Sequence, residues 1–138
     1  MTLRTPNPDG STRLRPSLKA TYLAMAALLA ERSSCPDGAR HGCVITVDDR
    51  IVATGYGSPA QGVTPCERCW LREKFLETGI KDWSVCPAVH AEVNAVATAA
   101  RNGVSIRGGT VYVTREPCKP CRHVLVNAGV AAIVTNHP

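Results

Sequence analysis

Aromatic side chains are scarce in this chain: Phe, Tyr and Trp together make up 4% of its residues. Its core must therefore rest on Val, Ile, Leu and Ala. No apolar run approaches the roughly 20 residues needed to cross a bilayer, so no membrane span is expected. There is also no run of basic residues with interleaved aromatics, and a grip on a nucleic-acid strand is not expected either. Internal repeats and low-complexity tracts are missing. At 138 residues the sequence fits one domain with a single hydrophobic core. The formal charge of +5 is concentrated early: Arg4, Arg13, Arg15 and Lys19 are opposed only by Asp9. Such a balance suits an anionic small substrate, and equally a protein that binds nothing charged.

Cysteine is the exception to this sparseness. Seven in so short a chain form no even disulfide framework, and two Cys-x-x-Cys pairs point to metal in a reducing compartment, so a cytoplasmic protein is expected. The apolar stretch Ala20 to Ala30 follows a basic leader, as a secretory signal would. However, Leu18, Tyr22, Met25, Ala26 and Leu29 recur at helical spacing, and Glu31 and Arg32 continue the segment. The stretch reads as an amphipathic core helix.

Residues 1–15 read as a loose basic arm and 16–138 as one domain. Pro16 is placed in the first turn of a helix running to about Ser33. Cys35-Pro36-Asp37-Gly38 makes a turn. Val44–Val47 and Ile51–Thr54 form a hairpin around Asp48-Asp49-Arg50. Residues 56–86 form a cysteine-bearing insert with one short helix near Arg68 to Glu77. A helix over about Val89 to Arg101, a strand over Thr110–Thr114, a helix opened by Glu116-Pro117 and a strand over Val130–Val134 complete the chain. The order α-β-β-α-β-α-β predicts an α/β domain with helices on a mixed sheet.

The chemistry is carried by His90-Ala91-Glu92 and by Pro117-Cys118-Lys119-Pro120-Cys121, each at a helix start. Cys118 and Cys121, three apart, share a helix face. The positive helix ends are expected to favour the thiolates that zinc requires. His90, Cys118 and Cys121 give three ligands and leave a fourth position for water, whose pKa falls toward roughly 7 on zinc. Glu92 is offset from His90 and is the expected acid/base group beside the metal. His-x-Glu alone carries no information, and Cys-x-x-Cys alone fits a redox pair. Together they match the zinc nucleobase deaminase signature.

The stretches Val89 to Ala95 and Thr110 to Cys121 resemble those of the cytidine deaminase superfamily. That resemblance implies a three-layer fold, a mixed β-sheet sandwiched by helices, and a zinc-dependent hydrolytic deamination of an amino-pyrimidine. Cys35-Pro36, Gly55-Tyr56-Gly57-Ser58-Pro59 and the insert ending at Cys86 are most similar to deoxycytidylate deaminases, which makes dCMP the implied substrate and dUMP the product. By the same resemblance Cys35, Cys66, Cys69 and Cys86 hold a second, structural zinc, and the protein is a homo-oligomer with a small-molecule partner. Cys43, in an apolar strand, reads as core, and Asn94 as a helix-packing hydrogen bond. Two departures touch the pocket. The loop lacks the asparagine of the family's Gly-Tyr-Asn-Gly, and the sequence ends at Pro138, where relatives continue. Both favour the alternative of a free base, nucleoside or other amino-heterocycle. A structural zinc module for protein interaction is the alternative from another class. Arg40, Arg115, Lys119 and Arg122 are unranked candidates for a phosphate.

Overall fold

The computed structural model describes residues 4–38 and 40–136. Its centre is a four-stranded mixed sheet of β3 (Gly42–Val47), β4 (Arg50–Tyr56), β7 (Thr110–Val113) and β8 (Ala132–Thr135), in the spatial order β4-β3-β7-β8. β3 runs antiparallel to both β4 and β7, while β8 is parallel to β7. Asp48 and Asp49 turn the β3–β4 hairpin with φ of 51° and 58°. Such two-residue turns need left-handed backbone, which Asp tolerates better than most residues.

Period-two alternation along the strands divides the core. Cys43, Ile45, Val111 and Val113 face α3 (Ala91–Arg101) and α4 (Lys119–Asn127), burying Ala91, Ala95, Ala99 and Leu125 with them. Val44 and Tyr112 face the other way, against Tyr22, Leu23 and Ala26 of α1 (Leu18–Ala30). Helices thus cover both faces, giving the three layers expected.

Two glycines allow the helices to lie this close. A Cβ on Gly42 would meet the Ala26 carbonyl oxygen at 1.9 Å and the Ala30 amide nitrogen at 2.7 Å. On Gly55 it would meet the Ala91 carbonyl oxygen at 2.3 Å and the Ala95 amide nitrogen at 2.5 Å. Each strand therefore touches a helix backbone through the gap between small residues on both elements, and no side-chain rotation could make room. This contact also decides which face α1 buries. Tyr22, Leu23, Ala26 and Ala30 are inside, whereas Leu18 and Met25, expected to be core, are exposed.

Other boundaries differ from the sequence expectation. Residues of the supposed arm form a hairpin of β1 (Arg4–Pro6) and β2 (Thr12–Leu14). α1 begins after Pro16, because the Ser17 hydroxyl caps it by accepting from the Ala20 N–H at 3.1 Å. Within the insert, α2 (Trp70–Thr78) buries no residue, and a single 3-10 turn follows at Trp83–Val85. Its base is closed by two strands missed in the sequence, β5 (Ser58–Pro59) and β6 (Ala88–Val89), paired antiparallel. No described helix is long and apolar enough to cross a membrane.

Candidate metal centre and its cavity

Two helix starts converge on one point. His90 is the residue before α3 and Cys118 the residue before α4, both in extended backbone, with ψ of 153° and 162°. An N-cap side chain ordinarily accepts hydrogen bonds from its own helix. Neither His90 nor Cys118 does so, and both side chains are left for another partner. Glu116-Pro117 thus precedes the helix instead of opening it. Cys121 lies one turn into α4, where the third helical residue meets the cap residue.

His90 Nδ1 stands 3.5 Å from the Cys118 sulfur and 3.3 Å from that of Cys121. The three ligand atoms all lie within 4.8 Å of one another. Zinc bonds of about 2.3 Å to sulfur and about 2.0–2.1 Å to nitrogen, at tetrahedral angles, separate nitrogen from sulfur by about 3.6 Å. The donors and their spacing therefore fit zinc, with three protein ligands and one open position.

Burial and neighbouring groups act against the helix ends at Cys121. Burial pushes the Cys121 thiol pKa well up, and the neighbouring Cys118 and Glu92 add to the effect. A bound cation at the three ligands would favour the thiolate against this burial. Glu92, in the first turn of α3, is buried. Its carboxylate bears on Cys121 and on Cys43, whose thiol is raised far above its ordinary value, mainly by burial. Cys43 is core, as its strand context suggested.

His90, Glu92 and Cys118 open onto a cavity of about 560 Å³, also lined by Ser33, Ser58, His41 and Arg115. Asn94 braces its rim. Its Nδ2 donates to the Tyr56 carbonyl at 2.8 Å and to that of Val89 at 3.2 Å, tying the Gly55-Tyr56-Gly57 segment to the helix that carries Glu92. Of the four cationic candidates only Arg115 lines the cavity. Arg40 pairs with Glu31 and Arg122 with Glu116.

Cys35, Cys66, Cys69 and Cys86 line the insert end of the same cavity. Burial raises the Cys66 thiol pKa, and the charges of Cys86, Cys69 and Cys35 raise it further, so the four are neighbours. Their sulfurs do not draw into a ligand-spaced group. His90, Cys118 and Cys121 form the one such group among the described residues. The expected second zinc site is thus not drawn to ligand spacing in this structure.

Sequence reading missed His41. No motif marks it, and its place in the cavity depends on the pairing of β3 with β7, which no local pattern announces.

The family model for the cytidine and deoxycytidylate deaminase zinc-binding region matches residues 16–137. Deoxycytidylate deaminase of Mycobacterium phage D29 is 35% identical over 124 residues, covering 87% of this chain and 94% of the phage protein. The same enzyme of Enterobacteria phage T4 is 34% identical, covering 83% of this chain and 75% of its own length. Among solved structures, dCMP deaminase of cyanophage S-TIM5 in complex with dCMP and dUMP superposes with a TM-score of 0.72 at 26% identity. That match covers 89% of this chain and 83% of the cyanophage chain.

Proposed function

The chain belongs to the cytidine and deoxycytidylate deaminase family, and we propose that it hydrolyses dCMP to dUMP and ammonia. The observation that carries this reading is the ligand-spaced group of His90, Cys118 and Cys121 at the floor of a cavity, with buried Glu92 beside it. Relatives named for dCMP over most of their length support the substrate.

Zinc held by His90, Cys118 and Cys121 would supply a Lewis acid that lowers the pKa of a water toward roughly 7. The residues of the chain do the rest. Glu92 accepts a proton from the attacking water at its carboxylate and passes it to the ring nitrogen next to the amino-bearing carbon. It then takes the remaining proton from the newly formed hydroxyl group and gives it to the departing amine, so that the C–N bond breaks and water and the amino-pyrimidine become the keto product and ammonia. Burial of Glu92 keeps solvent from competing for that proton. Asn94 holds the cavity rim at a fixed distance from Glu92.

We also assign the protein to the cytoplasm, in keeping with its seven free cysteines. We expect a homo-oligomer acting on free small molecules and not on nucleic acid. Trp70, Phe75, Leu76, Ile80 and Trp83 expose apolar surface on the insert that a second copy would cover. Residues 16–138 act as the single catalytic unit.

The test is ammonia release by zinc-loaded protein on dCMP, CMP, deoxycytidine, cytosine, guanine and adenosine. Turnover of dCMP should exceed that of the others, and Glu92→Gln should keep its zinc while turnover collapses. Near-normal turnover in Glu92→Gln refutes the proton-transfer role. Preference for an unphosphorylated compound refutes the substrate.

A further inference from the structure

The antiparallel register of β3 and β7 places two functional groups opposite each other just beyond the ladder. Cys43 faces Val113 and Val44 faces Tyr112. The next pair out, Gly42 and Thr114, is joined twice. The Thr114 N–H donates to the Gly42 carbonyl at 3.2 Å, and the Gly42 N–H donates to the Thr114 hydroxyl oxygen at 3.2 Å. One step further, His41 stands opposite Arg115. Alternation puts both on the side of Cys43 and Val113, the side that packs against the start of α3. Both indeed line the cavity that contains Glu92 and His90.

His41 is held in place. Its carbonyl accepts from the Gly57 N–H at 3.1 Å, and its ring Nδ1 lies 3.5 Å from the Thr114 hydroxyl. That hydroxyl, already an acceptor from Gly42, has its own proton to give, and Nδ1 is the acceptor in reach. In the tautomer where that hydroxyl donates to Nδ1, Nε2 carries the ring's proton and is a donor. Burial lowers the ring's pKa, the charge of Arg115 and then that of His90 lower it further, and Glu92 opposes them. These effects favour the neutral ring, which has a single N–H to offer.

Of the charged side chains that line the cavity, Glu92 and Arg115 are left outside the ion pairs. Asp37 is paired with Arg72 at 3.0 Å, and Glu116 is paired with Arg122. Arg115 has no carboxylate partner among the described residues. A guanidinium held in no ion pair, in one cavity with an imidazole, is a donor set for an anion, and Arg suits phosphate oxygens in particular. A cavity of about 560 Å³ lies within the range that takes a molecule of nucleotide size.

We propose that His41 and Arg115 form a two-donor site for the phosphate of the substrate and set the preference of this enzyme for nucleotide over nucleoside. The proposal rests on the deaminase reading above and adds the residues that read the phosphate.

The test measures binding apart from turnover. Calorimetry on the zinc-loaded full chain compares dUMP with deoxyuridine for the wild type, Arg115→Gln, Arg115→Lys, His41→Val and His41→Gln. Zinc content and melting temperature confirm that each variant is folded. The wild type should bind dUMP the more tightly. Arg115→Gln should weaken dUMP by about ten- to a hundredfold, as loss of a charge-assisted bond would, and leave deoxyuridine within about twofold. Arg115→Lys should recover part of the loss. His41→Val should weaken dUMP by a smaller factor, partly restored in His41→Gln, which keeps an N–H donor. Equal loss for both ligands, no loss in Arg115→Gln, or a wild type without preference for dUMP overturns the proposal. Deamination by the wild type on the substrate panel decides the underlying reading separately, since it can succeed where the phosphate site fails.

Discussion

Replacing Gly55 by alanine places a Cβ 2.3 Å from the Ala91 carbonyl oxygen and 2.5 Å from the Ala95 amide nitrogen. Both are backbone atoms of α3, so the clash cannot be relieved by a rotamer. Ordinary contact begins at about 3.4 Å, and the helix must therefore retreat from β4 by about 1 Å. Overpacking of this kind costs about 1–3 kcal/mol. For a domain of this size that lowers the melting temperature by about 4–12 °C. The functional cost is the sharper test. α3 carries Glu92 in its first turn and His90 as its cap, while Cys118 and Cys121 belong to α4. A shift of about 1 Å between catalytic groups is worth about a hundredfold in rate. Gly55→Ala should thus lower kcat for dCMP by about that factor while the protein stays folded. Gly42→Ala is the control. It sets a clash against Ala26 and Ala30 of α1, on the face of the sheet opposite α3 and α4, and any effect through its neighbours His41 and Thr114 should fall on KM and not on kcat. It should lose similar stability and much less rate. Steady-state kinetics at saturating zinc, with melting curves for both variants, settle the matter. A Gly55→Ala enzyme with wild-type kcat, or a Gly42→Ala enzyme slowed as much, would refute the claim that this helix contact sets the geometry of the site.

Three further expectations follow from the same structure. Asn94→Leu leaves the Tyr56 and Val89 carbonyls without their donor. It should cost about 1–3 kcal/mol and raise KM, and a wild-type melting curve and KM would show the brace to be dispensable. Stripping the metal with a chelator should lower the melting temperature and abolish turnover, with zinc restoring both. An unchanged melt would mean that His90, Cys118 and Cys121 hold their places without it. Finally, burial, with Glu92 and Cys121 nearby, holds Cys43 as a thiol. At pH 8.5 it should resist iodoacetamide in the native protein and react only on unfolding, as followed by peptide mass mapping. Because the fold raises this pKa, the stabilisation it contributes is present below the ordinary thiol value of about 8.5 and declines as pH rises above it. Cys43→Ala should flatten that alkaline decline in melting temperature, and an unchanged slope would remove Cys43 as its source.

His90-Ala91-Glu92 and Pro117-Cys118-Lys119-Pro120-Cys121 were legible without a structure, because each depends on residue types at short fixed spacings. Helix starts supply that geometry locally, and a metal with few coordination choices restricts the residues that can serve. The order of strands and helices was legible for a similar reason, since periodicities of two and 3.6 are written into neighbouring residues. The buried face of α1 was not. Leu18 and Met25 looked as apolar as Tyr22 and Ala26, and the deciding fact was the missing Cβ of Gly42 on another element.

The sequence by itself determined the zinc-ligand group of His90, Cys118 and Cys121, through the ligand types and their spacing. Only the tertiary structure decided what surrounds that centre. The register of β3 against β7 set His41 opposite Arg115. Ion pairs consumed Arg40 and Arg122 and left Arg115 free to face the cavity. Cys35 and the three insert cysteines were brought near one another but not to ligand spacing. These outcomes depend on distances between segments far apart in the chain, and local propensity carries no information about such distances.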